Sequence, residues 1–280
     1  MRPAFFAARN LLKAFLLLGG FVAALTALGW WLGGFRLASI FFVVSLLMAA
    51  TVHWYGPRIV LASLGARELL LAEGPLLHSA TERLALAAGV DRPKLFLLPD
   101  GHPRALAVGR GAGASAIALS EGLVMLLPPA ELEGVLAHEL AHARHRDVTV
   151  VTPVVVIAGW LVEASRIGGL LERALLFVLA PLAASLVQVL LSPKRELAAD
   201  RLAAAVCGTP HALADALVRI EQAQELVSFR ASPVTEPLYT VNPFGQDRLA
   251  AMFSTHPSIA ERVERLRALD PEWRERLRAA

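Results

Sequence analysis

Two apolar stretches near the start set the tightest limit on what this chain can fold into. Leu11 to Leu32 is apolar apart from Lys13 near its start. It is long enough to cross a hydrocarbon core, which takes about 20 residues of helix. Gly33-Gly34 interrupt it, and Leu37 to Tyr55 form a second such stretch. Trp30, Trp31, Trp54 and Tyr55 stand near the ends, where aromatic rings anchor at a membrane interface. Arg2, Arg9 and Lys13 lie on the entry side and Arg58 and Arg67 on the exit side, with Arg36 alone in the connection. The excess of positive charge places the N-terminus and everything after Tyr55 in the cytoplasm. A cleaved signal peptide is the alternative for the first stretch; its length and the immediate second span argue against that. The composition agrees: 56% of residues are hydrophobic and 18% charged, against about 25% charged in soluble domains, and mean hydropathy is +0.55.

Val148 to Val162 and Leu170 to Leu191 repeat the pattern, with Glu163, Arg166, Glu172 and Arg173 between them and Lys194 and Arg195 after. They read as a second membrane hairpin with both ends cytoplasmic. The first of the two is short, which also suits a re-entrant or protein-buried helix. Net charge is +3. The arginines gather at the ends of apolar runs rather than in a basic stripe, so no nucleic-acid partner is expected. One cysteine, Cys207, excludes an internal disulfide and suits a reducing compartment.

The remainder reads as mostly helical with a small sheet, an α+β arrangement. A helix is expected over Pro75 to Ala88 and a strand over Lys94 to Leu98. Strands at Ala105 to Val108 and Ser115 to Leu119 flank the turn Gly109-Arg110-Gly111-Ala112-Gly113. No Lys-Ser/Thr pair follows those glycines, so they make a hairpin turn and not a phosphate loop. Pro128-Pro129 open a helix with Glu131 and Glu133 in its first turn. Another helix spans Pro210 to Val227, a proline-bearing loop Ser232 to Pro243, and an arginine-rich helix starts near Ser258. The expected division is a membrane hairpin over residues 1–57 and a second part over 58–280, interrupted by the hairpin at 148–191.

Within the Pro128 helix stands His138-Glu139-Leu140-Ala141-His142. Residues four apart share a helix face one turn apart. Two imidazoles so placed can grip one zinc ion, and Glu139 then stands beside the open coordination position as a base. The plain alternative is a helix that happens to carry two histidines and an acid.

A catalytic zinc takes three protein ligands. His145 lies seven residues beyond His138, about 10.5 Å along a helix. No glycine is present to break the helix and bring it back, so His145 reads as a surface residue or a partner of a ligand. Glu196 and Asp200, four apart in Arg195-Glu196-Leu197-Ala198-Ala199-Asp200, project from one face. Glu196 can reach the metal, and Asp200 can accept the second N–H of a ligand histidine, most simply His138. The alternative is an exposed acidic pair beside Arg195 and Arg201.

In this order the motifs resemble the HtpX family of membrane zinc peptidases, relatives of the prenyl-protein (CAAX) endopeptidases. The matching pieces are Glu133 to His142, Arg146-Asp147, Arg195 to Asp200, and Ser254-Thr255-His256-Pro257 with Glu261-Arg262. The resemblance implies a gluzincin-type peptidase domain with four membrane-embedded helices, one Zn2+ held by His138, His142 and Glu196, and cleavage of membrane or misfolded proteins on the cytoplasmic side of the cell inner membrane. Where the family reads Asn-Ala-Phe-Ala in the strand before the motif helix, this chain has Arg104-Ala105-Leu106-Ala107. That strand pairs with substrate backbone in related enzymes, and backbone pairing needs no particular side chain. His145 replaces a more usual asparagine. His256, between Thr255 and Pro257, is either a capping residue or a hydrogen-bond donor to a developing oxyanion, with Arg262 as an ion-pair former near it. His53, His78, His102 and His211 show no partner spacing.

Three functions compete. One is a membrane endopeptidase with protein or peptide substrates and the lipid bilayer as partners, working in quality control. The second is a narrow processing peptidase for one lipidated or peptide substrate. The third is a non-catalytic adaptor with a structural zinc. A structural site is closed by four ligands; three ligands plus a glutamate base favour the enzyme.

Overall fold

The computed structural model describes residues 3–166, 193–226 and 257–270. Helix α1 (Pro3–Ser63) is folded back on itself at Gly33-Gly34, where Gly34 takes φ +64°, a conformation open to glycine. A Cβ placed on Gly29 would lie 2.9 Å from the Cβ of Phe41. In a straight helix those residues are about 18 Å apart, so the two arms run antiparallel in contact. Their outer faces expose Leu12, Phe15, Trp31, Phe35 and Leu47. Among the described residues this is the one helix long and apolar enough to cross a membrane.

A four-stranded mixed sheet follows. Its strands are β1 (Arg67–Glu68), β2 (Lys94–Leu98), β3 (Ala105–Gly109) and β4 (Ser115–Ser120), in the order β1-β2-β4-β3. β2 runs parallel to β4, and the other two pairings are antiparallel. β3 therefore lies at the sheet's edge. Helix α2 (Pro75–Ala88) starts on a proline and stops at Gly89, whose left-handed backbone sends its N–H back to Ala85 and Leu86. Ser120 caps the short α3 (Glu121–Leu126). Then come α4 (Pro129–Arg144), α5 (Val148–Arg166), α6 (Pro193–Cys207), α7 (His211–Leu226) and α8 (Ile259–Arg267).

Strand alternation gives the sheet two packed faces. Leu95, Ala105, Ala107, Ile117 and Leu119 meet α2, α4, α6, α7 and α8 in the larger core. Leu98, Leu106, Val108, Ala116 and Ala118 meet α5 and the inner side of α1. α5 is thus buried along Val150 to Ala158 instead of facing outward. Its apolar length, Val148–Leu161, falls short of a full span. The stretch expected at Leu170 to Leu191, the loop at Ser232 to Pro243 and His256 lie outside the described residues.

Candidate metal centre

The motif helix is fixed by its apolar side. Leu132, Val135, Leu136 and Leu140 are buried, and α4 packs between α2, α6, α7 and β3. Gly134 allows the closest approach: a Cβ there would stand 2.6 Å from the backbone N of Leu213. Glu131 in the first turn takes a two-pronged bond from Arg219, at 2.8 and 2.7 Å. So held, α4 turns His138 and His142 toward α6, which carries Glu196.

The three groups meet in the interior: His138 is 0%, Glu196 0% and His142 9% exposed. The Nε2 atoms of the two rings are 3.2 Å apart. His138 Nε2 is 3.4 Å from Glu196 Oε2, and His142 Nε2 is 3.5 Å from Glu196 Oε1. With zinc–nitrogen bonds of 2.0–2.1 Å, ligands of a tetrahedral site stand about 3.3 Å apart. The donor set fits a zinc ion on that measure.

The ring protons give a second test. His138 Nδ1 donates to Asp200 Oδ1 at 2.9 Å, and His142 Nδ1 donates to Asp147 Oδ2 at 2.8 Å. With those protons on Nδ1, both Nε2 lone pairs face the same point. They repel unless a proton or a cation lies between them. Each imidazole is thereby oriented by a carboxylate behind it, as metal-binding histidines are.

Arg262, fully buried, forks onto Asp200 through Nε at 2.9 Å and Nη2 at 2.7 Å, and its Nη1 stands 3.9 Å from Glu196 Oε2. Arg195 Nε is 3.1 Å from Glu196 Oε1. Glu139, 3% exposed, follows His138 on α4. The carboxylates of Glu196, Asp200 and Asp147 thus gather with the guanidinium groups of Arg262 and Arg195 around the two imidazoles.

The electrostatics follow from this crowding. Burial resists charge on His142, but the negative Glu196 and the bond to Asp147 outweigh it and lift the ring to about 10 in the metal-free site. His138 is raised as well: burial opposes it, and the bonds to Asp200 and Glu196 prevail. Burial also resists ionisation of Asp200 and Asp147. The Arg262 charge on the first and the His142 bond on the second still hold both below the usual carboxylate range.

One expectation needs correcting. The lack of a glycine does not carry the motif helix through His145. α4 ends there because Arg146 takes φ +58°, and the Asp147 N–H closes back on the His142 carbonyl at 2.9 Å. That non-glycine left-handed residue costs about 1–2 kcal/mol, and it swings Asp147 behind His142. His145 is buried, not on the surface, and it is not among the grouped metal donors. Asp147 was missed as a histidine partner because no helical spacing leads to it; the Arg146-Asp147 pair was the available signal. Arg104 pairs with Asp100 at 2.6 Å and its N–H meets Ser120 Oγ at 3.0 Å. Ala105, Leu106 and Ala107 lie on the edge strand β3 beside α4. His78 links Leu69 O to Arg92, and His211 meets Asp270. These are ties within the fold.

Sequence comparison points the same way. A family model described as peptidase family M48 matches residues 72–270. A protease HtpX homolog from Pyrococcus abyssi is 39% identical over 264 residues, covering 88% of this chain and 91% of the relative. Another, from Pelotomaculum thermopropionicum, is 36% identical over 278 residues, covering 93% and 99%. A crystal structure of S. mikatae Ste24p aligns with TM-score 0.49 and 20% identity, over 93% of this chain and 66% of that one.

Proposed function

The chain belongs to peptidase family M48, and on that premise we propose that this HtpX-like metallopeptidase is a zinc-dependent endopeptidase of the cell inner membrane, cutting membrane or misfolded proteins on the cytoplasmic side. The observation that carries the reading is the set of three buried donors, His138, His142 and Glu196, mutually 3.2–3.5 Å apart, with the buried Glu139 next to His138 on the same helix. Zinc bound there would polarise a peptide carbonyl and bring water's pKa to about 7. Glu139 takes the water's proton and hands it to the leaving amine. Asp200 and Asp147 keep both rings in the binding tautomer. Arg262 holds Asp200 and adds positive charge beside the reacting centre. The substrate lies as an added strand along Arg104 to Ala107, a role that suits an edge strand packed on the motif helix. His256 donates to the oxyanion in the same reading. Three ligands and a glutamate favour catalysis over a structural clamp.

Two parts share the work: a lipid-facing anchor over residues 1–57 and a peptidase part over 58–280. The exposed apolar belt of α1 and the flanking arginines support the membrane placement and its orientation. The test is Glu139→Gln in detergent-solubilised full-length protein. It should keep one zinc per chain and lose cleavage of an unfolded protein such as casein, because the amide accepts no proton. Turnover near that of the unaltered protein would overturn the mechanism.

A further inference from the structure

Asn10 sits on the first arm of α1, at the start of a long apolar stretch, and is only 5% exposed. Burying an amide without partners costs about 2–7 kcal/mol, so its partners matter. Its Nδ2 lies 3.0 Å from the carbonyl oxygen of His145 and 2.7 Å from Asp147 Oδ1. Both neighbours are acceptors. The amide must therefore present its NH2 group to them, and both hydrogens are used. The other oxygen of Asp147 takes the Nδ1–H of His142, whose Nε2 faces His138 and Glu196. One unbroken line of hydrogen bonds runs from the apolar arm to Nδ1 of the His142 ring, whose opposite nitrogen faces the other donors.

We infer that Asn10 is a positioning residue for His142, acting through Asp147, and that it ties the N-terminal arm to the metal centre. The geometry gives it two tasks at one point. The bond to the His145 carbonyl pins the helix end just before the left-handed Arg146. The bond to Asp147 fixes the carboxylate plane, and that plane sets the angle of the imidazole. A residue that only satisfied a helix end would need the first bond alone. Without Asn10 the carboxylate is freer to rotate about its Cβ–Cγ bond and the His142 ring loses its fixed plane. The apolar arm then does more than anchor: its position is read by the site.

This inference rests on His142 being a metal ligand, and the experiment separates the two. Full-length protein in detergent is compared with Asn10→Leu, which keeps the γ-branched shape and removes both donors. Asp147→Asn and Thr26→Ala are also compared; Thr26 lies on the same arm and donates to its own helix, to the Val22 carbonyl. The readouts are zinc affinity by chelator competition, the visible spectrum of the cobalt(II) form, and the Tm of the metal-free protein. Losing an outer partner of a ligand weakens binding by roughly 10–100-fold. Asp147→Asn should fall in that range. Asn10→Leu should lose about tenfold with altered cobalt bands, and Thr26→Ala should match the unaltered protein. Asn10→Ser, which keeps one donor, should lie between and serves if the leucine variant folds poorly. The inference is overturned if the Asn10 variants bind within twofold of the unaltered protein with the same cobalt spectrum, or if only the metal-free Tm moves. If the unaltered protein binds neither metal, it is the ligand assignment that fails.

Discussion

Asp200 is the residue on which the site's order leans most heavily, and Asp200→Asn measures how heavily. The carboxylate is 3% exposed and accepts three hydrogen bonds: one from His138 at 2.9 Å and two from Arg262 at 2.9 and 2.7 Å. An amide of the same shape offers one oxygen and one NH2, so at least one donor comes to face another donor. The guanidinium of Arg262, with no exposed surface, loses its main counter-charge; Glu196 at 3.9 Å is the next carboxylate. Breaking a buried charge pair from one side costs about 3–5 kcal/mol. For a domain of roughly 200 residues each kcal/mol moves Tm by about 2–4 °C. The variant should therefore melt some 6–20 °C lower without metal, and its zinc affinity should fall roughly 10–100-fold because His138 loses its orienting partner. Thermal melts in detergent with and without zinc, together with chelator competition, read both effects. Replacing the whole pair, Asp200→Leu with Arg262→Met, should restore most of the lost Tm, since apolar groups of similar volume substitute well for a buried pair. A single variant melting within about 2 °C of the parent, with zinc affinity within twofold, would refute the reasoning.

Zinc affinity should rise steeply with pH. His142 in the metal-free site is held at about 10 and His138 is raised as well, so binding must expel protons from the pair, and affinity should climb at least about tenfold per pH unit from pH 6 to 9 in a chelator titration. The same raised value stabilises the metal-free fold fully below the ring's ordinary value of 6.5, and that share of stability is lost as pH rises through about 10; a metal-free Tm flat across this range would contradict it. Gly134→Ala should lower Tm despite alanine's better helix propensity, worth up to about 1 kcal/mol. The new Cβ meets backbone of α7 at 2.6 Å, and overpacking of that kind costs about 1–3 kcal/mol; an unchanged or higher Tm would count against the close contact.

Legibility in the sequence followed locality. Pro75–Ala88 and Lys94–Leu98 begin and end where proline, left-handed glycine and apolar patterning place them. The spacing of His138 and His142 and the pairing of Glu196 with Asp200 are helix arithmetic and could be read directly. β1 could not be: two polar residues become a strand only because β2 offers them a ladder. α3 is six residues long, and its Ser120 cap was the one local cue. Asp147 was hidden by a left-handed arginine, a conformation no pattern announces. Asn10 was hidden by distance, since its partners lie about 135 residues along the chain. For α5 the shortness of the run left a protein-buried helix open, and that is what forms; the apolar pattern alone reads alike whether lipid or protein covers it.

The second core carries a consequence for anyone wishing to trim the protein. Leu17, Val52, Val60 and Leu61, all from α1, lie over the valines of α5 and one face of the sheet. Where lipid is the alternative surrounding, such side chains gain little from leaving water, and what they contribute is close packing against α5 and the sheet. A truncation at residue 57, drawn to yield a water-soluble fragment, would remove Leu17 and Val52 from that cover, keep Val60 and Leu61, and open part of the valine face of α5 to water. One side of the apolar arms is thus a wall of the second core, and trimming them cuts into it.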